Sequence, residues 1–249
     1  MEGNGIYTKI QKYPKLKNPT MICGLPGIGA IGKTASDYLA IELEAELFGK
    51  LYSNKFLSQV QVKNSVAEFL KNEFYYSKDS NIIILRGNAQ PSDSVGMYEL
   101  GDAIMNVAKK CGVKQMITLA AYVSGYEFKR PRVFRAGDNL EGVIDPRKFG
   151  VIKMRGGAIS GLNGILIGLC NLNDIEGLCL LGETSGKDVS DLKAARSLLR
   201  VLNKMLDLKI SLDGIDKAEE LKQGLVKEVW EHDYVNYNKD DDDHMLPYG

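Results

Sequence analysis

The sequence predicts an α/β domain, and three observations carry that prediction. Short apolar runs alternate with longer segments of helical period. The strongest runs, "NIIILRG" (81–87), "QMITLAAYV" (115–123) and "GLCLLGET" (177–184), read as buried strands. A glycine-rich stretch, "GLPGIGAIGKT" (24–34), links an apolar "TMIC" (20–23) to a segment in which Ile28, Ile31, Ala35 and Leu39 recur at helical spacing.

The elements follow in chain order. After the strand, turn and helix at 20–39, "AELFGKLYS" and "FLSQVQVKN" are strand-like, as is "FYYS" ahead of "NIIILRG", so this region reads as a hairpin-rich insertion. "SDSVGMYELGDAIMNVAKK" (92–110) puts Met97, Leu100, Ile104 and Val107 on one helical face, and Gly112 stops it. Beyond 115–123 come a polar loop, "RVFRA" (132–136) and "GVIKM". The stretch "GGAISGLNGILIGLCNLND" then predicts an apolar helix of about 15 residues, with Gly161 and Gly164 at a close contact. Residues 188–208 form an amphipathic helix with Leu192, Ala195, Leu199, Leu202 and Leu206 on one face. "DKAEELKQGLVKEVWEH" makes a last helix. Residues 1–232 are expected to be a single domain and 233–249 a flexible tail, because four aspartates in a row self-repel.

Composition narrows the function. The 249 residues are 44% hydrophobic and 26% charged, which is ordinary for a soluble globular chain. Lys+Arg and Asp+Glu both total 32, so no global field favours nucleic acid or an anionic membrane. No run approaches the roughly 18–20 apolar residues of a membrane span, and no apolar leader opens the chain. Cys23, Cys111, Cys170 and Cys179 are widely spaced without a C-x-x-C pair, as expected of buried thiols in the cytoplasm. The two histidines, His232 and His244, fall near the C-terminus, which removes the commonest general base and metal ligand from a central site. No catalytic residue, metal or cofactor is assigned.

The glycine-rich stretch matches two nucleotide-binding patterns. Gly27, Gly32, Lys33 and Thr34 fit G-x-x-x-x-G-K-[ST], while Gly27, Gly29 and Gly32 fit G-x-G-x-x-G. A phosphate loop needs its first glycine at the strand end and its lysine in the first helical turn. Here three residues intervene after the strand, and Lys33 is expected deeper in the helix. An acidic partner for magnesium is offered only by Glu183, and Glu46 is too early in its strand to hold a ribose. The same residues also serve without a ligand: Gly27 and Gly29 in a tight turn, Gly32 where helix approaches sheet, and Lys33 with Asp37 as an i, i+4 pair.

Taken together, "GLPGIGAIGKTASDYL" (24–39), "IILRGNAQP" (83–91), "TLAAYVSG" (118–125), "PRVF" (131–134), "GAISGLNGILI" (157–167) and "GETSG" followed by "DLKAARSLLRVLNKML" resemble the proteasome assembly chaperone 2 family, in its archaeal and bacterial form. The ordered set spans residues 20 to 210. The resemblance implies a three-layer α/β/α sandwich like the nucleoside phosphorylase fold, a homo-oligomer and no enzymatic activity. It also implies that the glycine-rich turn is architecture.

Some members of that family end in hydrophobic-Tyr-any, and this sequence closes with Leu246, Pro247, Tyr248 and Gly249. The implied partner is the proteasome α ring: the Gly249 carboxylate would pair with a lysine between α subunits and the Tyr248 ring fill an apolar slot. The flexible tether would give avidity on a homo-oligomer. The run "DDDDHM" also resembles an engineered junction, and a terminal match can arise by chance. The other functional class is a small-molecule or nucleotide-binding α/β enzyme with its pocket at the carboxyl ends of the parallel strands, where Lys33, Glu183 or Arg86 would contact an anionic or nucleotide substrate.

Overall fold

Near-continuous Ile, Leu and Met runs suit strands covered on both faces, and four of them form the parallel centre of a nine-stranded sheet. These are β2 (Thr20–Gly24), β7 (Ile82–Gly87), β8 (Gln115–Val123) and β11 (Glu176–Thr184). A computed structural model gives this fold and describes residues 5–137 and 146–221. The remaining strands of the sheet are β1 (Ile6–Ile10), β3 (Glu46–Ser53), β6 (Asn72–Ser77), β9 (Val133–Gly137) and β10 (Ile152–Lys153). The order is β1-β3-β6-β7-β2-β8-β11-β9-β10. β6, β3 and β1 extend one side antiparallel, and β9 runs antiparallel to β11 on the other. A separate two-stranded hairpin joins β4 (Val60–Lys63) to β5 (Val66–Phe69).

Alternation of side chains along a strand divides the core into two faces. Met21 and Cys23 of β2, Ile83 and Leu85 of β7 and Met116 of β8 pack with Leu100 and Ile104 of α2 (Ser94–Lys110) and Leu162 and Leu166 of α3 (Leu162–Asn171). The intervening Ile22, Ile84 and Ile117 are buried outside that cluster. Their face is covered by α1 (Ile31–Glu42) and α4 (Leu192–Leu206), which pack on each other and on the central strands. The result is the three-layer α/β/α arrangement.

The helix ends obey local chemistry. Asp93 caps α2 by accepting from Gly96 N at 2.8 Å, and Asp191 caps α4 by accepting from Ala194 N at 2.9 Å. Gly112, left-handed at φ 69, follows α2 as a C-terminal stop. Two expectations are corrected. α3 has 10 residues instead of about 15, because Gly161 at φ 78 is its N-cap and 156–161 is loop. On the expected face of α4, Ala195, Leu199 and Leu202 are fully buried, but Leu192 and Leu206 are only half-buried, and Leu198 and Met205 join the buried stripe instead. β1 and β5 were not anticipated from the sequence.

All four cysteines are buried free thiols. Burial pushes Cys179 up to about 12 and Cys111 up to about 11, and it raises Cys23 well above the ordinary thiol range. Among the described residues no helix is long and apolar enough to cross a membrane. The chain divides into two compact units, Met1–Ser211 and Leu212–Gly249. Within the second, residues 213–221 are helical.

Candidate functional site

A crevice of about 520 Å3 opens at the carboxyl ends of β2 and β8, the place where open parallel sheets commonly receive ligands. One wall is the turn after β2: Leu25, Pro26, Gly27, Ile28 and Gly32. The sheet supplies Leu119 through Val123 of β8 and Leu181 of β11. The opposite wall is Met154, the glycine-rich loop 156–161 and Asn163 of α3.

The turn is held by its own backbone. Ala30 N donates to Gly27 O at 2.9 Å, closing a single 3-10 turn, and Gly29 and Ala30 both take left-handed φ values of 61 and 49. For Ala30 that conformation costs about 1 kcal/mol. Neighbouring elements fix it there. Asp191 N, at the start of α4, donates to Gly29 O at 2.8 Å, and Ser36 Oγ donates to Gly24 O at 2.8 Å. Gly32 lies so close to β8 that a Cβ would sit 2.2 Å from Leu119 O. Only glycine lets α1 pack at that distance.

Lys33 is the third residue of α1, in its first turn, which corrects the expectation that it lies deeper. Its ammonium pairs with Asp37, and neither Lys33 nor Thr34 lines the crevice, whereas Gly27 and Gly32 do. Arg86 is likewise engaged. Its guanidinium donates to Tyr75 Oη at 2.6 Å, lies 4.4 Å from that ring and pairs with Glu73 at 3.4 Å and Asp37 at 3.5 Å. Burial and then the Glu73 carboxylate raise the Tyr75 phenol above its ordinary range.

Glu183 is fully buried, and Arg132 grips it with two side-chain bonds, Nε at 2.8 Å and Nη2 at 2.6 Å, plus its backbone N–H at 3.2 Å. Those bonds hold the Glu183 carboxyl below the ordinary glutamate range. Arg132 in turn lies 5.4 Å from the rings of Phe128 and Phe134, and Phe134 stacks on Tyr122 at 4.0 Å. The three charged residues expected to contact an anionic or nucleotide substrate, Lys33, Arg86 and Glu183, are thus each held in a pair, and none lines the crevice. Among the described residues no group of three or more His, Cys, Asp and Glu could hold a metal.

Two residues that sequence reasoning passed over shape the crevice. Gln90 donates from Nε2 to Pro26 O at 2.7 Å and accepts at Oε1 from Leu162 N at 3.0 Å, bracing the turn against the start of α3. Asn163 lines the α3 wall, and its Oδ1 is buried with no hydrogen-bond partner. The available signal was its polarity within the apolar run "GLNGILIGLC".

A second surface lies toward the β1–β3 margin of the sheet. The register Val60↔Phe69 and Val62↔Ala67 places these four on one face of the β4–β5 hairpin. Val60, Val62 and Phe69 are 48%, 69% and 72% exposed. At the hairpin's base is a cavity of about 910 Å3 lined by residues including Tyr7, Tyr52, Phe56, Leu57, Val60 and Phe69. Leu246, Pro247, Tyr248 and Gly249, with His232 and His244, lie outside the described residues.

Comparison with known proteins agrees with this architecture. A solved structure of Pyrococcus furiosus PbaB, an archaeal proteasome activator, superposes with a TM-score of 0.81 at 33% identity, covering 91% of this chain and 99% of that one. Pyrococcus furiosus PbaA, an archaeal homolog of proteasome-assembly chaperone, matches with a TM-score of 0.81 at 26% identity over 94% and 96% of the two chains. An uncharacterized protein of Methanocaldococcus jannaschii is 28% identical over 227 residues, 90% of this chain and 88% of its own. The PAC2 family profile matches residues 21–229, and the chain belongs to the PAC2 family.

Proposed function

We propose that this protein acts on the proteasome as a non-enzymatic assembly chaperone or activator in the cytoplasm. The observation that carries the reading is the likeness to PbaB along nearly the whole of both chains at 33% identity. The engagement of Lys33, Arg86 and Glu183 in pairs within the fold supports a binding role over anion chemistry at the strand ends. In this reading the chain docks on α-ring subunits through Leu246, Pro247, Tyr248 and Gly249, with the Tyr248 ring in an apolar slot and the Gly249 carboxylate on a lysine. It works as a homo-oligomer, whose several tails add avidity. The exposed apolar face of the β4–β5 hairpin supports self-association, because a lone two-stranded hairpin is marginal in water until something covers it.

The test is a pull-down of proteasome α subunits and of assembled proteasome with three proteins: the full chain, a chain lacking 247–249, and Tyr248→Ala. The full chain should bind. Loss of an aromatic anchor costs at least about 2 kcal/mol per site, roughly thirtyfold, so both variants should lose binding while keeping fold and mass. Equal binding by the truncated chain would move the contact to the folded body. Failure of the full chain to bind either preparation would remove the proteasome role.

A further inference from the structure

The cavity at the base of the β4–β5 hairpin joins an apolar lining to unpaired positive charge. Phe56 is buried within the lining, Leu57, Val60 and Phe69 are exposed there, and the rings of Tyr7 and Tyr52 lie 6.3 Å apart on neighbouring strands. Lys9 is the one charged residue among the described residues that line it, and no carboxylate joins it there. The β1–β3 register sets Lys9 directly opposite Lys50, on the same sheet face as the Tyr7–Tyr52 pair. Among the described residues neither lysine has a carboxylate in ion-pair contact. Glu73, opposite Lys50 on β6, is already engaged by Arg86 at 3.4 Å and Lys71 at 3.8 Å. Like charges directly opposite each other across two strands destabilise the pair, and an anion shared by both removes that cost.

We propose that this cavity binds an amphipathic anion, an apolar chain carrying a single anionic head, with the head on Lys9 and Lys50 and the chain against Phe56, Leu57 and Phe69. Both halves of the ligand are selected. A small hydrophilic anion would gain only a screened contact with exposed lysine and leave the apolar residues in water. A neutral chain would cover those residues and leave the two lysines opposed. The volume of about 910 Å3 is in the range of small-molecule sites. The inference stands apart from any contact with the proteasome. It is also separable from self-association, because Val62, further toward the hairpin's tip than the Val60–Phe69 pair, does not line the cavity.

Decanoate, 1-decanol and decyltrimethylammonium share one chain and differ in whether the head is an anion, neutral or a cation. Titrated into the full-length protein and followed by amide chemical shifts, decanoate should bind about tenfold or more tightly than the alcohol, since a hydrogen bond between two ionised groups is the stronger one. The cation should bind weakest, and added salt should narrow the gap between the anion and the alcohol. Lys9→Gln with Lys50→Gln should bring decanoate down to the level of the alcohol and leave the alcohol unchanged, which separates loss of the head contact from loss of the fold. Leu57→Asp, outside the hairpin strands, should weaken both by about tenfold, because it replaces apolar contact with a charge. No detectable binding of decanoate, as when a second copy of the chain fills the cavity, equal affinity for the three heads, or undiminished decanoate binding by either variant would overturn the assignment.

Discussion

The glycine-rich turn between β2 and α1 and the β4–β5 hairpin are both short connections off the central sheet, yet they are held in opposite ways. In the turn, Leu25 and Ile31 are fully buried, Gly32 touches the backbone of β8, and hydrogen bonds tie Gly24 to Ser36 and Gly29 to Asp191. In the hairpin, the apolar side chains point outward and the strands bond mainly to each other. The difference separates two kinds of contribution. The turn bears on whether the chain folds, and the hairpin on what the folded chain touches.

Substitution at the turn should therefore give the largest effects. In Gly32→Ala the new Cβ would lie 2.2 Å from Leu119 O, and in Gly164→Leu it would lie 2.1 Å from Ile159 O, both rigid backbone atoms. Overpacking of this kind costs about 1–3 kcal/mol or more, which in a chain of this size lowers the melting temperature by about 2–10 °C. Gly27→Ala, where a Cβ meets nothing within 4 Å, is the matched control and should change little. A Gly32→Ala protein as stable as the control would break the comparison. The Gly164 contact is with the carbonyl of its own preceding loop, so the expected helix contact is replaced by a helix-to-loop one.

The next effect is a pH dependence. Because Arg132 holds the Glu183 carboxyl below its unfolded value, the pair stabilises the fold above the ordinary glutamate value of about 4.3, and that contribution is lost as pH falls through the depressed folded value. Melting temperature followed from pH 7 downward should fall in that acid window. Glu183→Gln, which has no carboxyl to titrate, should show a flatter profile, and identical profiles would remove the pair from the acid response.

Smaller still in stability are changes on the hairpin. Val62→Asp with Phe69→Asp should change stability by no more than about 0.5 kcal/mol per site if these side chains are free in the monomer. The same double variant should shift the mass seen by light scattering toward a smaller species, and an unchanged mass would assign self-association to another surface. At the bottom of the scale, Lys33→Ala removes a half-buried i, i+4 pair worth about 0.3–0.5 kcal/mol. ATP with magnesium should leave the melting temperatures of wild type and Lys33→Ala unchanged. A shift that disappears with the lysine would restore the phosphate-loop reading.

The scale of these effects tracks what could be read from the residues. The central strands and α2 were legible because apolar runs of strand length and a clean helical period leave few alternatives. The need for glycine at 32 was also legible, from a strand-to-helix turn that must pack closely. β1 was missed because only Ile6 is buried in a strand whose three central residues are exposed. α3 was overlong because apolar character continues through "GGAIS" while Gly161 needs a positive φ that ends the helix. Gln90 and Asn163 were invisible as site residues because their roles depend on contacts between elements far apart in sequence, 64 residues from Gln90 to Pro26. The register that gathers Val60, Val62 and Phe69 on one face required β5, whose "VAEF" lacks a strong strand signature.

The four buried thiols make the protein its own reporter of opening. A thiol must be exposed and ionised before it reacts with an alkylating reagent, and burial withholds both conditions from Cys23, Cys111 and Cys179, while Cys170 is shut in beside Met116. Cys111 sits at the end of α2, where a frayed last turn would free it, whereas Cys23 and Cys179 lie within central strands and are reached only when the sheet itself comes apart. Labelling would therefore proceed in two stages, with the first clocking local fraying and the second the lifetime of the whole domain.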